Sequence, residues 1–214
     1  MLPNLLTLLR IGLAFVTVAL FGHGFRATVA AVALIIVVIW MDALDGWVAR
    51  RTGSTSDMGA LLDITGDRIV ENVFWIYYAS VGLVSFWVPI VVITRGFLTD
   101  TVRALQFEQG KTPFGEKTMM RSAWSRFLVA GRFMRGLYGG AKVVVFCLLG
   151  VLLALQQGQN EGHFAGLGGA WPVLYTGTAI LVGLTVALCL LRGVPVLWDS
   201  RDLLLRKMLP RAPD

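Results

Sequence analysis

Charge is scarce in this chain. Only 15% of its 214 residues are Asp, Glu, Lys or Arg, against 56% hydrophobic, and mean hydropathy is +0.71. A soluble domain of this size needs more polar surface than that, whereas polytopic membrane proteins have this composition. Cysteine and histidine are scarcer still, with two of each. Cys147 and Cys189 stand singly in apolar runs and read as packed thiols, which argues against a disulfide framework or a cysteine metal pair. His23 and His163 fall in expected outer loops, so no His/Cys set converges for zinc. The opening Met-Leu-Pro-Asn-Leu-Leu-Thr has no basic leader, and no small-residue cleavage site follows the apolar stretch, so it does not read as a signal peptide. The length suits one helical bundle, and a single domain over residues 1–214 is expected.

The few charges are informative through their placement. Of 19 Lys and Arg, only Arg26 falls in a connection expected outside. The rest lie at Arg10, Arg50, Arg51, Arg68 and Arg95, between Arg103 and Lys142, and from Arg192 onward. The positive-inside rule assigns these segments to the cytoplasm. The net charge of +6 then reflects topology and attraction to anionic lipid. Nucleic-acid binding is disfavoured, because the basic residues flank membrane spans and no separate domain presents them.

Segments 4–22, 27–48 and 171–192 are long enough to span about 30 Å of hydrocarbon, and 139–157 is just adequate. Residues 72–94 form one apolar run. A single crossing there would leave the basic stretch 95–142 outside, so a turn near Gly82-Leu-Val-Ser85, before Pro89, is expected. The fold class that follows is all-α: a polytopic membrane protein, a bundle of six transmembrane helices with both termini cytoplasmic. At 1.5 Å rise per residue, Asp42, Asp67 and Lys142 each lie roughly 22 Å from the outer end of their helix, on one plane in the cytoplasmic half of the bilayer. Arg95 comes out deeper. Ionisable groups at such depths line a watery cavity or pair with one another. The stretch 110–138 is broken by Gly110, Pro113 and Gly115. It then interleaves Arg121, Arg126, Arg132 and Arg135 with Trp124, Phe127, Leu128, Phe133 and Leu137. It reads as an amphipathic segment at the cytoplasmic interface.

Residues 42–67 concentrate the chemistry. They run Asp42-Ala-Leu-Asp45-Gly46-Trp-Val-Ala49-Arg50, then eight residues, then Gly59-Ala-Leu-Leu-Asp63-Ile-Thr-Gly-Asp67. Asp42 and Asp45 stand one turn apart near the cytoplasmic end of the second helix, and Asp63 and Asp67 one turn apart near the start of the third. In an antiparallel pair those ends meet. Four converging carboxylates repel unless divalent cations lie between them. Oxygen-only ligands favour Mg²⁺ or Mn²⁺, and two such ions suit a diphosphate. Gly46 lets a diphosphate approach the helix. Gly59 does likewise or permits close helix packing, a choice that Ala49 shares. Arg50 fits a phosphate contact or a topology signal.

The pattern D-x2-D-G-x2-A-R-x8-G-x3-D-x3-D resembles the signature of the CDP-alcohol phosphatidyltransferases, integral membrane enzymes of phospholipid synthesis. The opening Pro3-Asn4-Leu-Leu-Thr7-Leu-Leu-Arg10 resembles that family's first helix. The resemblance is close over residues 3–68 and looser from about 84 to 157. It implies that the hydroxyl of a small polar alcohol attacks the lipid-side phosphorus of CDP-diacylglycerol and that CMP leaves. Carried over, Asp42, Asp45, Asp63 and Asp67 hold two divalent cations, and Asp67 also takes the hydroxyl proton. The residues alone do not rank Asp63 against Asp67 for that role. The implied CDP-lipid contacts are Asn4, Thr7, Arg10, Gly46, Ala49, Arg50, Ser56 and Gly59; without the resemblance, Asn4 and Thr7 read as helix caps.

Arg95 and Arg103 lie eight residues apart on the fourth helix, and with Lys142 they resemble the arrangement in phosphatidylglycerophosphate synthases. Cations inside the bundle suit a phosphorylated acceptor such as glycerol 3-phosphate. Inositol phosphate, serine or another alcohol are the alternatives, and the length of 110–138 departs from the glycerophosphate branch. A homodimer follows from the resemblance alone. Two rival classes fit less well. Membrane prenyltransferases need more helices and differently spaced Asp. A transporter with intramembrane carboxylates leaves Gly46, Ala49 and Arg50 unexplained.

Overall fold

A computed structural model describes residues 2–52, 57–107, 123–163, 168–201 and 204–205; within these, side chains are described except at 2–3, 43–52, 57–58, 60, 106–107, 123 and 130. All regular structure among the described residues is helical. The elements are α1 (Leu2–Leu20), α2 (Phe25–Thr52), α3 (Asp57–Ser80), α4 (Trp87–Phe107), a short α5 (Ala123–Ser125) running into a π-helical turn (Arg126–Ala130), α6 (Arg132–Asn160) and α7 (Ala170–Asp199). Phe25–Asp42, Arg132–Asn160 and Ala170–Asp199 are long and apolar enough to cross a membrane by length and composition, and Asn4–Leu20 is a shorter apolar helix.

The helix ends are set by residues that break helices. Gly22 and Gly24 both take positive φ, 88° and 99°, between α1 and α2, a region open to glycine without a Cβ clash. The backbone N–H of Phe25, at the start of α2, donates to Glu161 Oε1 at 2.8 Å. That carboxylate satisfies one of the donors a helix N-terminus leaves open. The apolar run 72–94 does turn where the charge distribution requires. α3 stops at Ser80 and α4 begins at Trp87. Gly82 adopts φ 77°, and the N–H of Leu83 returns to Tyr78 O at 3.0 Å, a glycine-terminated C-cap.

The chain divides into two compact units, Met1–Pro89 with Lys142–Val182, and Ile90–Ala141 with Gly183–Asp214. In the first, α1 lies against α2 and α3. Its interior holds Ala14, Ile35, Val38, Phe74, Trp75, Tyr78, Phe146 and Leu149, all buried. Trp75 meets the Phe146 ring edge-on at 4.9 Å, and Tyr78 Oη donates to the Phe146 carbonyl at 2.8 Å. Gly150 lets the helices close: a Cβ there would stand 2.8 Å from Val32 Cγ2 and 3.2 Å from Tyr78 Oη. Gly150→Val is therefore expected to lower thermal stability in detergent, at a cost of about 1–3 kcal/mol from overpacking, whereas Gly136→Ala, which lies within α6 and meets nothing within 4 Å, should not lower it and gains up to about 1 kcal/mol of helix propensity; a thermal melt of both variants checks this. The second unit has a small core of Val102, Val129 and Val196.

Large apolar side chains are exposed along the long helices, among them Leu8, Phe15, Ile36, Trp40, Ile76, Phe97, Val173, Leu184 and Val194. Lipid, unlike water, solvates such faces at no cost. One expectation needs correction. The segment 110–138 does not remain a separate interfacial element to its end: α6 begins at Arg132, ahead of the expected 139. The break falls at Gly131, whose backbone is extended at φ −57° and ψ 128°. Gly136, Gly139 and Gly140 then continue the helix. Residues 108–122 lie outside the described residues. In the remainder Trp124, Phe127, Phe133 and Leu137 are exposed, as an interfacial face requires.

Candidate functional site

Asp42 on α2 and Asp63 and Asp67 on α3 converge. Each offers a carboxylate oxygen, and the three oxygens lie within 4.8 Å of one another. The i, i+4 spacing turns Asp63 and Asp67 to one face of α3. Their side chains are about half exposed, at 52% each, and Asp42 is at 46%. All-oxygen donors at this separation fit a hard divalent cation, so the cluster can hold a metal ion.

Arg10 rises from α1 beneath this cluster and is buried, at 2% exposure. Its guanidinium pairs with Asp42, stands 3.0 Å from Asp67 and 3.8 Å from Asp63. A guanidinium so far from water needs such company. Its approach depends on Gly66, a residue of the signature stretch with no role assigned from sequence. A Cβ at Gly66 would meet Thr7 Cγ2 at 2.7 Å and Arg10 Nη2 at 2.9 Å. Thr7 is accordingly buried, with its methyl against α3. Asn4 is half-buried on α1, and Gly59 is half-buried in the first turn of α3. The side chains of Asp45, Ala49 and Arg50, the surroundings of Gly46, and Ser56 altogether lie outside the described residues.

The three expected acceptor residues divide. Arg95 and Arg103 lie on the part of α4 in the second unit, and Lys142 belongs to the first. Arg95 is buried, and its side chain lies against Gly193, where a Cβ would come within 2.6 Å of its Nε. That Nε has no hydrogen-bond partner among the described residues. Arg103 pairs with Asp100 at 3.2 Å. Lys142 Nζ is 3.0 Å from Glu71 Oε2.

Two charged residues escaped the sequence reading. Glu71 continues the Asp63–Asp67 face by one more turn and is buried, at 4% exposure, yet it sits alone at the head of an apolar run. Arg192 reads as a topology charge at the end of a span. It is instead buried, donating to the carbonyls of Leu128 at 3.3 Å and Val129 at 3.5 Å, with its guanidinium 5.3 Å from the Tyr138 ring centre. No signal for this lay in the sequence, where the expected span 171–192 ends on Arg192; α7 runs seven residues further, to Asp199.

Comparison with known proteins agrees with this geometry. A Mycobacterium tuberculosis protein named "Probable phosphatidylglycerophosphate synthase" is 31% identical over 116 residues, 52% of this chain and 56% of that protein. A Bacillus subtilis CDP-diacylglycerol–glycerol-3-phosphate 3-phosphatidyltransferase is 24% identical over 146 residues, 62% of this chain and 76% of that protein. An Aeropyrum pernix archaetidylinositol phosphate synthase is 32% identical over 105 residues, 48% of this chain and 52% of that protein. The chain thus spans little more than half the length of the mycobacterial relative. The sequence model of the CDP-alcohol phosphatidyltransferases matches residues 1–191, and with Asp42, Asp63 and Asp67 gathered at one site, the chain belongs to that family.

Proposed function

We propose that this chain moves a phosphatidyl group from CDP-diacylglycerol to glycerol 3-phosphate and releases CMP, at an aspartate site open to the cytoplasm. The observation that carries the reading is the meeting of Asp42, Asp63 and Asp67 oxygens within 4.8 Å. Asp45 completes the ligand set in this proposal. Two divalent cations, Mg²⁺ or Mn²⁺, would there bind the diphosphate and stabilise charge on the departing CMP. The acceptor hydroxyl forms a new P–O bond to the lipid-side phosphorus as the P–O bond to CMP breaks. Asp67 accepts the hydroxyl proton. Arg10, beside all three carboxylates, is within reach of a diphosphate held there. With Asn4, Thr7, Gly46, Ala49, Arg50, Ser56 and Gly59 it forms the donor site. Six spans, cytoplasmic termini and a single functional domain over 1–214 belong to the same proposal, supported by the basic connections. The homodimer rests on family resemblance.

Glycerol 3-phosphate as acceptor is supported by the names of the M. tuberculosis and B. subtilis relatives and by the cations Arg95, Arg103 and Lys142. Inositol phosphate is the second reading, favoured by the A. pernix relative. CMP release by the purified chain, with Mn²⁺ and a panel of glycerol 3-phosphate, inositol phosphate, serine and inositol, decides between them. Serine as the best acceptor rejects a phosphate-binding role for these cations and leaves the CDP-lipid chemistry standing.

The acceptor reading carries its own expectation. A charge-assisted contact contributes roughly 1.5–3 kcal/mol, and tenfold corresponds to about 1.4 kcal/mol. Arg95→Gln, Arg103→Gln and Lys142→Gln should each raise the acceptor KM on the order of ten- to a hundredfold, with little change in the CDP-lipid KM. Equal impairment for both substrates would make these cations structural.

A further inference from the structure

Glu71 has no part in the signature, yet it is the most deeply buried carboxylate among the described acidic residues. A carboxylate taken out of water and left without cations is costly by several kcal/mol. Here Lys142 Nζ stands 3.0 Å and Arg68 Nη1 3.5 Å from the same oxygen, Oε2. Arg68 comes from the preceding turn of α3 itself. Lys142 comes from α6, 71 residues away.

That meeting depends on the register of α3 against α6, which is fixed independently of the charges. One turn beyond Glu71, Phe74 and Trp75 close on the Phe146 ring at 5.3 and 4.9 Å. Phe146 itself lies one turn beyond Lys142. A turn further, Tyr78 Oη bonds the Phe146 carbonyl at 2.8 Å and stands 3.2 Å from where a Gly150 Cβ would be. Three successive turns of α3 thus meet three successive turns of α6. The polar pair occupies the turn nearest the aspartates, since Glu71 follows Asp67 by four residues, about 6 Å along the axis. Glu71 is at 4% exposure and Lys142 at 22%, so the carboxylate is interior to the ammonium.

We propose that Glu71 is a positioning residue for Lys142: its carboxylate holds the ammonium at the level of the aspartate cluster, where it meets the phosphate of the acceptor. This rests on the reading of Lys142 given above. Glu71 acts through Lys142, and touches neither substrate nor metal.

The test is steady-state kinetics of the full chain in detergent, varying CDP-diacylglycerol, glycerol 3-phosphate and Mn²⁺ in turn. The variants are Glu71→Gln, Glu71→Asp, Lys142→Gln and the Glu71→Gln/Lys142→Gln double variant. Glu71→Gln keeps the side-chain shape and loses the charge. It should raise the glycerol 3-phosphate KM about three- to tenfold, with the CDP-lipid KM and Mn²⁺ half-saturation unchanged. Glu71→Asp should restore part of the loss. In the Lys142→Gln background the Glu71 change should add less than about twofold, as expected for residues acting in series. Lys142→Gln raising the acceptor KM while Glu71→Gln does not would overturn the Glu71 role alone. An unchanged acceptor KM in Lys142→Gln would overturn the acceptor reading and the Glu71 role with it. A shifted Mn²⁺ half-saturation, additive losses, or both KM values rising together in Glu71→Gln would assign Glu71 to the metal site or to folding.

Discussion

Asp67→Asn is expected to stop CMP release, with turnover lower by about 10²–10⁴-fold, the range associated with a positioned general base. Asn preserves the shape of the side chain and one ligand oxygen but cannot take a proton from the acceptor. Binding of the CDP-lipid should therefore persist. Asp67 is a better candidate than Asp63 on position: it stands nearer the Arg10 guanidinium, at 3.0 against 3.8 Å. A diphosphate drawn to Arg10 is then close to the Asp67 carboxylate, and proton transfer requires such proximity. Three measurements separate the roles: turnover of Asp67→Asn, turnover of Asp63→Asn, and CDP-lipid binding by each. Near-normal turnover in Asp67→Asn would move the base elsewhere. Loss of lipid binding along with turnover would make Asp67 chiefly a metal ligand.

The site was legible in the sequence where its geometry is local. Asp63 and Asp67 share a face because four residues make about one turn. Asp42 joins them because α2 and α3 both pack against α1. The Gly82 turn was legible for a different reason, since the distribution of basic residues required a crossing to end there. What escaped depends on packing register across elements distant in the chain. Lys142 read with Arg95 and Arg103 as an acceptor cation, and its pairing with Glu71 was not legible because Glu71 comes from another helix and the contact exists only once Trp75 and Tyr78 are docked on Phe146. Gly66 was one small residue among several until the approach of Thr7 and Arg10 distinguished it. The start of α6 was misjudged because Arg132 and Arg135, interleaved with Phe133 and Leu137, read as the end of the interfacial segment; they instead form the first turns of α6, which begins at Arg132.

Removal of divalent cations is expected to abolish activity. The three carboxylates whose oxygens lie within 4.8 Å repel each other. At about 4 Å, one such pair costs about 1 kcal/mol in full solvent and about 4 kcal/mol at the effective dielectric of a protein surface. Asp42, Asp63 and Asp67 are about half exposed, so the lower part of that range applies. Among the described residues, Arg10 carries one positive charge against the three negative ones of Asp42, Asp63 and Asp67. A diphosphate entering the site adds further negative charge, which the guanidinium alone does not balance. Turnover requires additional positive charge at that point, and the donors offered are carboxylate oxygens, which favour Mg²⁺ or Mn²⁺. Dialysis against chelator should therefore lower turnover by more than about a hundredfold, and either ion should restore it. Asp42→Asn should raise the Mn²⁺ concentration for half-saturation about tenfold, since it removes the formal charge of one ligand. Mn²⁺ binding followed by electron paramagnetic resonance, without substrate, gives the same comparison independently of turnover. Full activity in metal-free buffer would leave Arg10 as the cation that serves the diphosphate and would reject the two-metal site, and unaltered Mn²⁺ binding in Asp42→Asn would remove Asp42 from the ligand set.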